Sequence, residues 1–305
     1  MKKIFLILTA FLIICPKSYC AETENIALLT KNGFFERPQK TSFLSPYEEV
    51  KRILCTHLKY ANNYNLKELK SLYSENYSSS DGLNKEIYFE LIKKTWDSYP
   101  DIKYKLSIEN IEIDSNIAIA QVTEEAIATT NSKSGIIDEK GILQSISSSV
   151  YYLEKIDNEW LITSDHIIYE KTSLKYGSAK DISIELTAPC QLPAGTQYSA
   201  SLKIDAPKDS LIIASIGREN ITYPQSVAEE VFRKLPVDGT LERIFTSNTK
   251  NINEYAVASF GITKAEIKGG SEIKIYVTGL GFVMSRVNVI PKNDFVKVAD
   301  NEKEK

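Results

Sequence analysis

The chain has 305 residues, of which 43% are hydrophobic and 25% are charged, with 37 Lys and Arg against 40 Asp and Glu. This composition is that of an ordinary globular protein, which excludes disordered, collagenous and multi-span membrane classes. The slight acidic excess provides no basic surface for a nucleic acid backbone, so no nucleic acid partner is expected. The length exceeds the size at which one hydrophobic core usually divides, so we expect two domains.

The N-terminal segment predicts export. Two lysines precede an apolar run over residues 4–14, which is too short to span a membrane comfortably, and Pro16 ends it. We interpret residues 1–20 as a secretory signal peptide. This predicts a periplasmic or extracellular protein, bacterial in preference to eukaryotic, with no membrane span after cleavage. The alternatives are an uncleaved anchor helix and a lipoprotein acylated at Cys20, whose flanking residues fit a lipid-attachment motif poorly.

Two cysteines, Cys55 and Cys190, clearly remain after such a cleavage. Their separation matches no metal or redox motif. A disulfide between the two expected domains is one possibility in an oxidising compartment. Two separately buried thiols are the preferred interpretation.

Helical signals begin after residues 21–44, which show no period and are expected to form a flexible arm. Residues 45–48, Ser-Pro-Tyr-Glu, form a capping box with proline at the first helical position. They predict a helix from Pro46 to about Asn63. A second, short helix is expected to open at Asn65, and a third to run over about 84–98.

After residue 100 the pattern changes to alternating apolar and polar residues, which predicts strands. Two strands are expected before residue 130, followed by 142–156 and 159–170, which are joined by a hairpin turn at Asp157-Asn158. On the last strand one face is assigned to Trp160, Ile162, Ser164, His166 and Ile168. Three helices before an antiparallel meander predict an α+β domain over residues 45–174, with the helices on one side of the sheet.

The rest of the chain predicts a second, all-β domain over residues 178–295, followed by a charged tail at 296–305. Alternating segments such as 182–186 and 198–204 are separated by turns rich in Gly, Pro and Asp. This spacing is typical of a β-sandwich, with the immunoglobulin fold as one form of it. One helical piece is expected at 225–234.

Residues 46–172 resemble the nuclear-transport-factor-2-like superfamily, which includes the SnoaL-like proteins. The order of elements matches, with a long first helix, a short second one, a third that ends in Trp96, and long curved strands. The stretch from Tyr151 to Asp165, a hairpin turn followed by Trp160 and aliphatic residues, is typical of that family. The resemblance implies a cone-shaped fold with a pocket between helices and sheet, and a sheet that often forms dimers. The family includes isomerases and dehydratases as well as non-catalytic binders. The C-terminal part resembles no family that we can name.

Few residues offer chemistry to such a pocket. His57 on the first helix is a candidate general base because histidine titrates near neutrality, although a histidine bonded to solvent or backbone is the plainer interpretation. His166 is a candidate for the pocket mouth, although an ordinary sheet position is the plainer interpretation. Glu124 falls on the more apolar side of its strand, with Ala120 and Val122, and is the candidate buried acid, although a bulge or strand end that places it in water is the preferred interpretation. Neither histidine has a second ligand at metal spacing, so no metal site is predicted, and no cofactor motif occurs.

Two function classes follow from these expectations. The preferred one is an exported, non-catalytic binding protein whose first domain binds a small apolar ligand or dimerises through its sheet, while the sandwich docks a protein partner. The alternative is an extracytoplasmic SnoaL-like isomerase, dehydratase or hydrolase. His57 and Glu124 in one pocket would favour the enzyme. In either case the expected ligand-binding residues are Tyr60, Trp96, Glu124, Trp160 and His166.

Overall fold

A computed structural model describes residues 44–205, 207, 210–225, 230–268 and 272–292. The expected signal peptide, the arm up to residue 43 and the charged tail lie outside these residues. The described helices are α1 (Pro46–Asn62), α2 (Leu66–Ser71), α3 (Lys85–Ser98) and a 3-10 helix (Ser178–Asp181). The described strands are β1 (Tyr73–Ser79), β2 (Lys103–Asp114), β3 (Ile117–Lys133), β4 (Lys140–Ile156), β5 (Glu159–Gly177), β6 (Ile184–Thr187), β7 (Gln191–Pro193), β8 (Gln197–Ile204), β9 (Leu211–Asn220), β10 (Arg233–Lys234), β11 (Thr240–Thr246), β12 (Glu254–Lys268) and β13 (Glu272–Ile290).

The three α-helices lie where their caps and periodicity predicted. The Ser45 hydroxyl accepts a hydrogen bond from the Glu48 N–H at 3.3 Å, which satisfies a free donor at the start of α1. The Asn84 side chain caps α3 in the same way and accepts from the Ile87 N–H at 3.0 Å. The apolar stripe of α1 is buried against the sheet through Val50, Leu54 and Ala61. This packing fixes the side chains on the inner surface of α1.

The strands of both halves of the chain form one ten-stranded sheet, in the order β10-β9-β12-β13-β5-β4-β3-β2, with β1 on β5 and β7 on β13. The prediction of an α+β cone domain followed by a separate β-sandwich is therefore wrong. The molecule is mostly β, and β13 pairs with β5 from Gly279–Gly177 to Ser285–Lys171. The physical reason is the length of β5, whose 19 residues continue past the expected domain. Its far end has backbone groups that need partners, and β13 supplies them.

A three-stranded sheet, β11-β8-β6, covers the C-terminal half of the large sheet. The two layers share one apolar core, which joins Leu186, Leu202 and Ile204 of the small sheet to Ile212, Ile216 and Phe260 of the large one. The alternating segments of the sequence therefore do form facing sheets. One of those sheets, however, continues into the N-terminal half.

One expected helix is absent from the described residues, and one strand was not predicted. The helix expected at 225–234 is not found, because Arg233–Lys234 is strand β10, paired with β9; residues 226–229 lie outside the described part. The segment after α2 is strand β1, which runs parallel to β5.

The structure supports neither interpretation of the two cysteines, a disulfide between them or two buried thiols. Cys190 is a free thiol and is exposed, so it neither bonds Cys55 nor lies buried. In the part of the chain that the structure describes, no helix combines the length and apolar character needed to cross a membrane.

Candidate functional site

A cavity of about 90 Å³ lies between α1, α3 and the inner face of the sheet. One water molecule needs roughly 10–15 Å³ of such space, so the cavity has room for several waters or a small organic molecule. Most of the lining is apolar or aromatic. The titratable side chains on its wall are His57, Asp81, Tyr88, Tyr104, Glu124, Tyr151 and Asp165.

Glu124 reaches this cavity because β3 alternates regularly. Its inner face is buried and made of small residues, among them Ala120 and Val122, and Glu124 follows in the same phase at 6% exposure. The Tyr151 hydroxyl donates to Glu124 Oε1 at 3.1 Å. Burial raises the pKa of Glu124 to about 7; the Tyr151 bond opposes this rise, and the charge of Asp165 adds to it.

Asp165 reaches the cavity through a bulge in β5. Ile162 and Ser164 pair with consecutive residues of β4, so Thr163 is an extra residue in the ladder. One extra residue reverses the alternation of side chains along the strand. Asp165 therefore points inward, and His166 lies on the opposite side of β5.

The surroundings of Asp165 favour its neutral form. Asp165 is 5% exposed, and the Tyr77 hydroxyl donates to its Oδ1. Burial is the main cause that raises the pKa of Asp165 to about 6, and the charge of Asp81 acts in the same direction. The Tyr77 hydrogen bond and the charge of Arg286 lower it again.

His57 faces the cavity as a neutral ring. Its Nε2 lies 2.8 Å from the Tyr73 hydroxyl oxygen, and the ring is flanked by Tyr73 and Tyr151 at centroid distances of 5.8 and 5.9 Å. Burial lowers the pKa of His57 to about 4. At neutral pH this imidazole is uncharged, which suits a hydrogen-bonding role in an apolar wall.

The structure brings three of the residues expected from the sequence to the cavity: His57, Trp96 and Glu124. Trp96 Nε1 donates to the Tyr104 hydroxyl at 3.2 Å. The other three lie elsewhere. Trp160 is in the core, where Nε1 donates to Glu49 Oε2 at 2.9 Å, Tyr60 packs at the edge of that core, and His166 is half-buried on the outer side.

Sequence reasoning missed Asp165 and the hydroxyls of Tyr88 and Tyr151. The bulge that turns Asp165 inward leaves no mark in the alternation of apolar and polar residues. The abundance of tyrosine, at 17 residues, was a signal for hydroxyl-lined surfaces, but it did not select individual rings.

The arrangement suits proton transfer. Two carboxyl groups with raised pKa values face one mostly apolar cavity among tyrosine hydroxyls that burial keeps neutral. Among the described residues, no three His, Cys, Asp or Glu side chains are placed to hold a metal ion.

No protein-family model and no curated protein matches the chain. Among solved structures, a proposed scytalone dehydratase from Novosphingobium aromaticivorans is 16% identical over 40% of this chain and 81% of its own, with a TM-score of 0.34. A proposed dehydratase of the NTF2-like family from Streptomyces avermitilis is 13% identical over 40% of this chain and 93% of its own, with a TM-score of 0.33. An NTF2-like protein from Cytophaga hutchinsonii is 11% identical over 41% of this chain and 98% of its own, with a TM-score of 0.32.

These neighbours are an NTF2-like protein and two proposed dehydratases, and each covers about two fifths of this chain. At such identities the likeness concerns fold alone. The low TM-scores give no ground for assigning an activity.

Proposed function

We propose that the cavity is an acid–base site that moves a proton on a small, uncharged and largely apolar molecule with a carbonyl or hydroxyl group. One observation carries the proposal: Glu124, with a pKa of about 7, and Asp165, with a pKa of about 6, face the same cavity. Near neutral pH both protonation states of Glu124 are populated, which is the condition for efficient proton exchange.

Glu124 is the group that takes and returns the proton. Its carboxylate accepts a proton from the carbon next to a ligand carbonyl, and the electron pair of that C–H bond moves toward the carbonyl oxygen. The hydroxyls of Tyr88 and Tyr104, whose pKa values burial raises, stay neutral and can donate hydrogen bonds to this oxygen. Return of the proton at another carbon completes an isomerisation, and loss of a hydroxide that takes up the proton completes a dehydration.

The charge of the site supports an uncharged ligand. Asp165 lines the cavity together with Glu124, and no lysine or arginine of the described residues lines it, so an anionic ligand finds no opposite charge there. A charged group would also lose its hydration in a mostly apolar cavity. The apolar share of the wall supports a small apolar body next to the reacting group.

The second candidate is carriage of a small apolar ligand without chemistry. The mostly apolar and aromatic lining supports it, since such a wall binds by burial alone. The two candidates share the cavity and differ in what Glu124 contributes. The change Glu124→Gln keeps the shape of the side chain but removes the acid. A carrier should therefore still bind its ligand after this change, whereas an enzyme should lose its activity.

Deuterium exchange tests this proposal without a known substrate. The protein is incubated in D2O with a panel of small cyclic and aromatic ketones, and exchange next to the carbonyl is followed by NMR. We expect wild type and Glu125→Gln to accelerate exchange for at least one ketone, and Glu124→Gln to slow that exchange by roughly 100-fold or more. Equal rates in the two variants, or no exchange with any ketone, contradict the enzyme proposal; tight binding without exchange then supports carriage.

The proposal includes export, which rests on the apolar run at residues 4–14. The mass of the protein isolated from its own cell tests it. A chain that starts near Ala21 supports cleavage, and a lipid on Cys20 supports the lipoprotein alternative. A chain that starts at Met1 contradicts both.

A further inference from the structure

A row of buried polar side chains crosses the sheet behind Glu124. Across the neighbouring strands β3, β4 and β5, Glu124 lies opposite Ser147, and Ser147 lies opposite Glu170. Residues directly opposite each other share one face of a sheet, with Cβ atoms roughly 4.5–5.5 Å apart. Ser147 and Glu170 are both fully buried. The row therefore leads from the cavity wall into the interior, toward the C-terminal strands.

Three atoms in and beside this row have no hydrogen-bond partner in the described part of the chain: Ser147 Oγ, Ser149 Oγ and Glu170 Oε1. Buried polar groups in proteins are almost always paired, with protein or with ordered water. The preceding serine of the same face behaves differently, because the Ser145 hydroxyl donates to the Lys171 carbonyl oxygen at 3.3 Å. An unpaired hydroxyl opposite a buried carboxyl that has an unpaired oxygen indicates ordered water at this point.

A second bulge turns Glu170 into the row. Ile167 and Tyr169 pair with consecutive residues of β4, so Ile168 is an extra residue in the ladder. Glu170 therefore faces inward, as Asp165 does after the first bulge. The Tyr255 hydroxyl donates to Glu170 Oε2 at 2.8 Å, which leaves Oε1 for the row.

The charged groups around Glu170 balance its two protonation states. Burial raises the pKa of Glu170 to about 7, and the charges of Asp81 and Glu124 add to this rise. The charge of Arg286 and the hydrogen bond from Tyr255 act in the opposite direction and stabilise the carboxylate. Two buried carboxylates so close together disfavour double ionisation.

We propose that Glu170 exchanges a proton with Glu124 through Ser147 and ordered water, so that the two acids hold one proton between them. The protonated Glu124 gives its proton to the hydrogen-bonded chain, and the chain delivers a proton to the Glu170 carboxylate. The total charge of the pair does not change. This inference rests on the proposed function, in which Glu124 takes and returns a proton and its protonation state decides its role. Glu170 does not line the cavity and acts only through Glu124.

Carboxyl NMR of the full chain labelled with ¹³C in glutamate tests the link. Because Glu170→Gln removes a neighbouring charge, we expect it to lower the apparent pKa of Glu124 by roughly one unit, the size at which two sites titrate as a pair. We expect Ser147→Ala to move the titrations of both acids. Ser145→Ala is the matched control: it removes a hydroxyl from the same face outside the row and should leave both titrations unchanged.

Unchanged Glu124 titration in both Glu170→Gln and Ser147→Ala overturns the inference. So does a high-resolution crystal structure in which Ser147 Oγ and Glu170 Oε1 have neither water nor each other within hydrogen-bond distance. If Glu170→Gln fails to fold, the milder Ser147→Ala still decides. If the two acids titrate together but no ketone exchanges, the proposed function is refuted and the proton link between Glu124 and Glu170 stands. If ketone exchange depends on Glu124 but the titrations are independent, only the proton link is refuted.

Discussion

Arg286 and Asp81 form a buried ion pair, although 205 positions separate them in the sequence. Arg286 Nη1 donates to Asp81 Oδ2 at 3.1 Å, and Nη2 donates to the other carboxylate oxygen. Asn253 Nδ2 adds a third bond, to Asp81 Oδ1 at 2.8 Å. Since Asp81 lines the cavity, the C-terminal strands hold part of the wall of a site built mainly by the N-terminal half.

Loss of the arginine should destabilise the fold strongly. Arg286→Met leaves the Asp81 carboxylate buried without its partner, and breaking a buried pair in this way costs about 3–5 kcal/mol. Urea unfolding measures the loss. The exposed Arg52→Met serves as the control and should change stability by less than about 0.5 kcal/mol. The double change Arg286→Met with Asp81→Asn should be less harmful than Arg286→Met alone; equal damage would show that the charge of Asp81 is not the cause.

The stability of the protein should depend on pH through Glu124. Its pKa of about 7 in the fold lies above the ordinary 4.5, so the unfolded chain releases this proton first. The stabilisation from the neutral carboxyl is complete below about pH 4.5 and is lost as the pH rises to about 7. Glu124→Gln cannot ionise, so its stability relative to wild type should rise by about 3 kcal/mol across this range.

The matched control for that measurement is Glu125→Gln. Glu125 is the next residue on β3, on the other side of the sheet, with Lys105 Nζ at 2.5 Å. The same chemical change there leaves the carboxyl groups of the cavity in place, so it tests whether the effect belongs to the cavity. A rise of equal size in both variants would locate the effect outside the cavity.

His57 should give the opposite slope. Its pKa of about 4 in the fold lies below the ordinary 6.5, so the unfolded chain takes up a proton first as the pH falls. The stability that comes from the neutral ring is present above pH 6.5 and is lost as the pH falls toward 4. NMR of the imidazole protons should show no titration of His57 between pH 6 and 8. A midpoint near 6.5 would mean that the ring is hydrated and not buried between Tyr73 and Tyr151.

Gly281, in the part of β13 that pairs with β5, should not tolerate a larger side chain. A Cβ on Gly281 would lie 2.0 Å from Phe260 Cζ, and Gly281 also pairs with Lys175 across the β13–β5 contact. Gly281→Ala should therefore destabilise the whole protein by about 1–3 kcal/mol through overpacking. Gly135→Ala is the control, since nothing lies within 4 Å of its added methyl group. Similar urea midpoints for the two variants would contradict this packing.

Local signals in the sequence were sufficient to predict where several helices and turns lie. Ser45 and Asn84 cap helices that begin within a residue of the predicted positions, because capping is decided by neighbours three residues away. Asp157 and Asn158 both have positive φ angles, of 48° and 68°, as the predicted hairpin turn requires. Regular alternation along β3 made Glu124 a candidate buried acid, and its side chain is buried, although exposure to water was the preferred interpretation.

The remaining features depend on neighbours that the sequence does not name. The bulges at Thr163 and Ile168 shift the alternation of inward and outward side chains along β5. The sequence does not mark these bulges, because polar residues stand on both sides of Thr163. The pairing of β13 with β5 joins segments more than a hundred residues apart, and alternation identifies a strand without identifying its partner. Because the bulge at Thr163 reverses the alternation along β5, the prediction placed His166 on the face that Asp165 occupies.

The edge of β5 carries β1 along its first part and β13 along its second, and the Arg286–Asp81 pair joins β13 to the turn that follows β1. This arrangement sets an order of events during synthesis. Every helix that borders the cavity has left the ribosome before the strand that holds Asp81 is made. Pairings over such long separations form late in folding, because they must first overcome the entropy of closing a large loop. A nascent chain thus carries an unfinished cavity until residue 286 arrives, and the site is completed only when the C-terminal strands have joined the sheet.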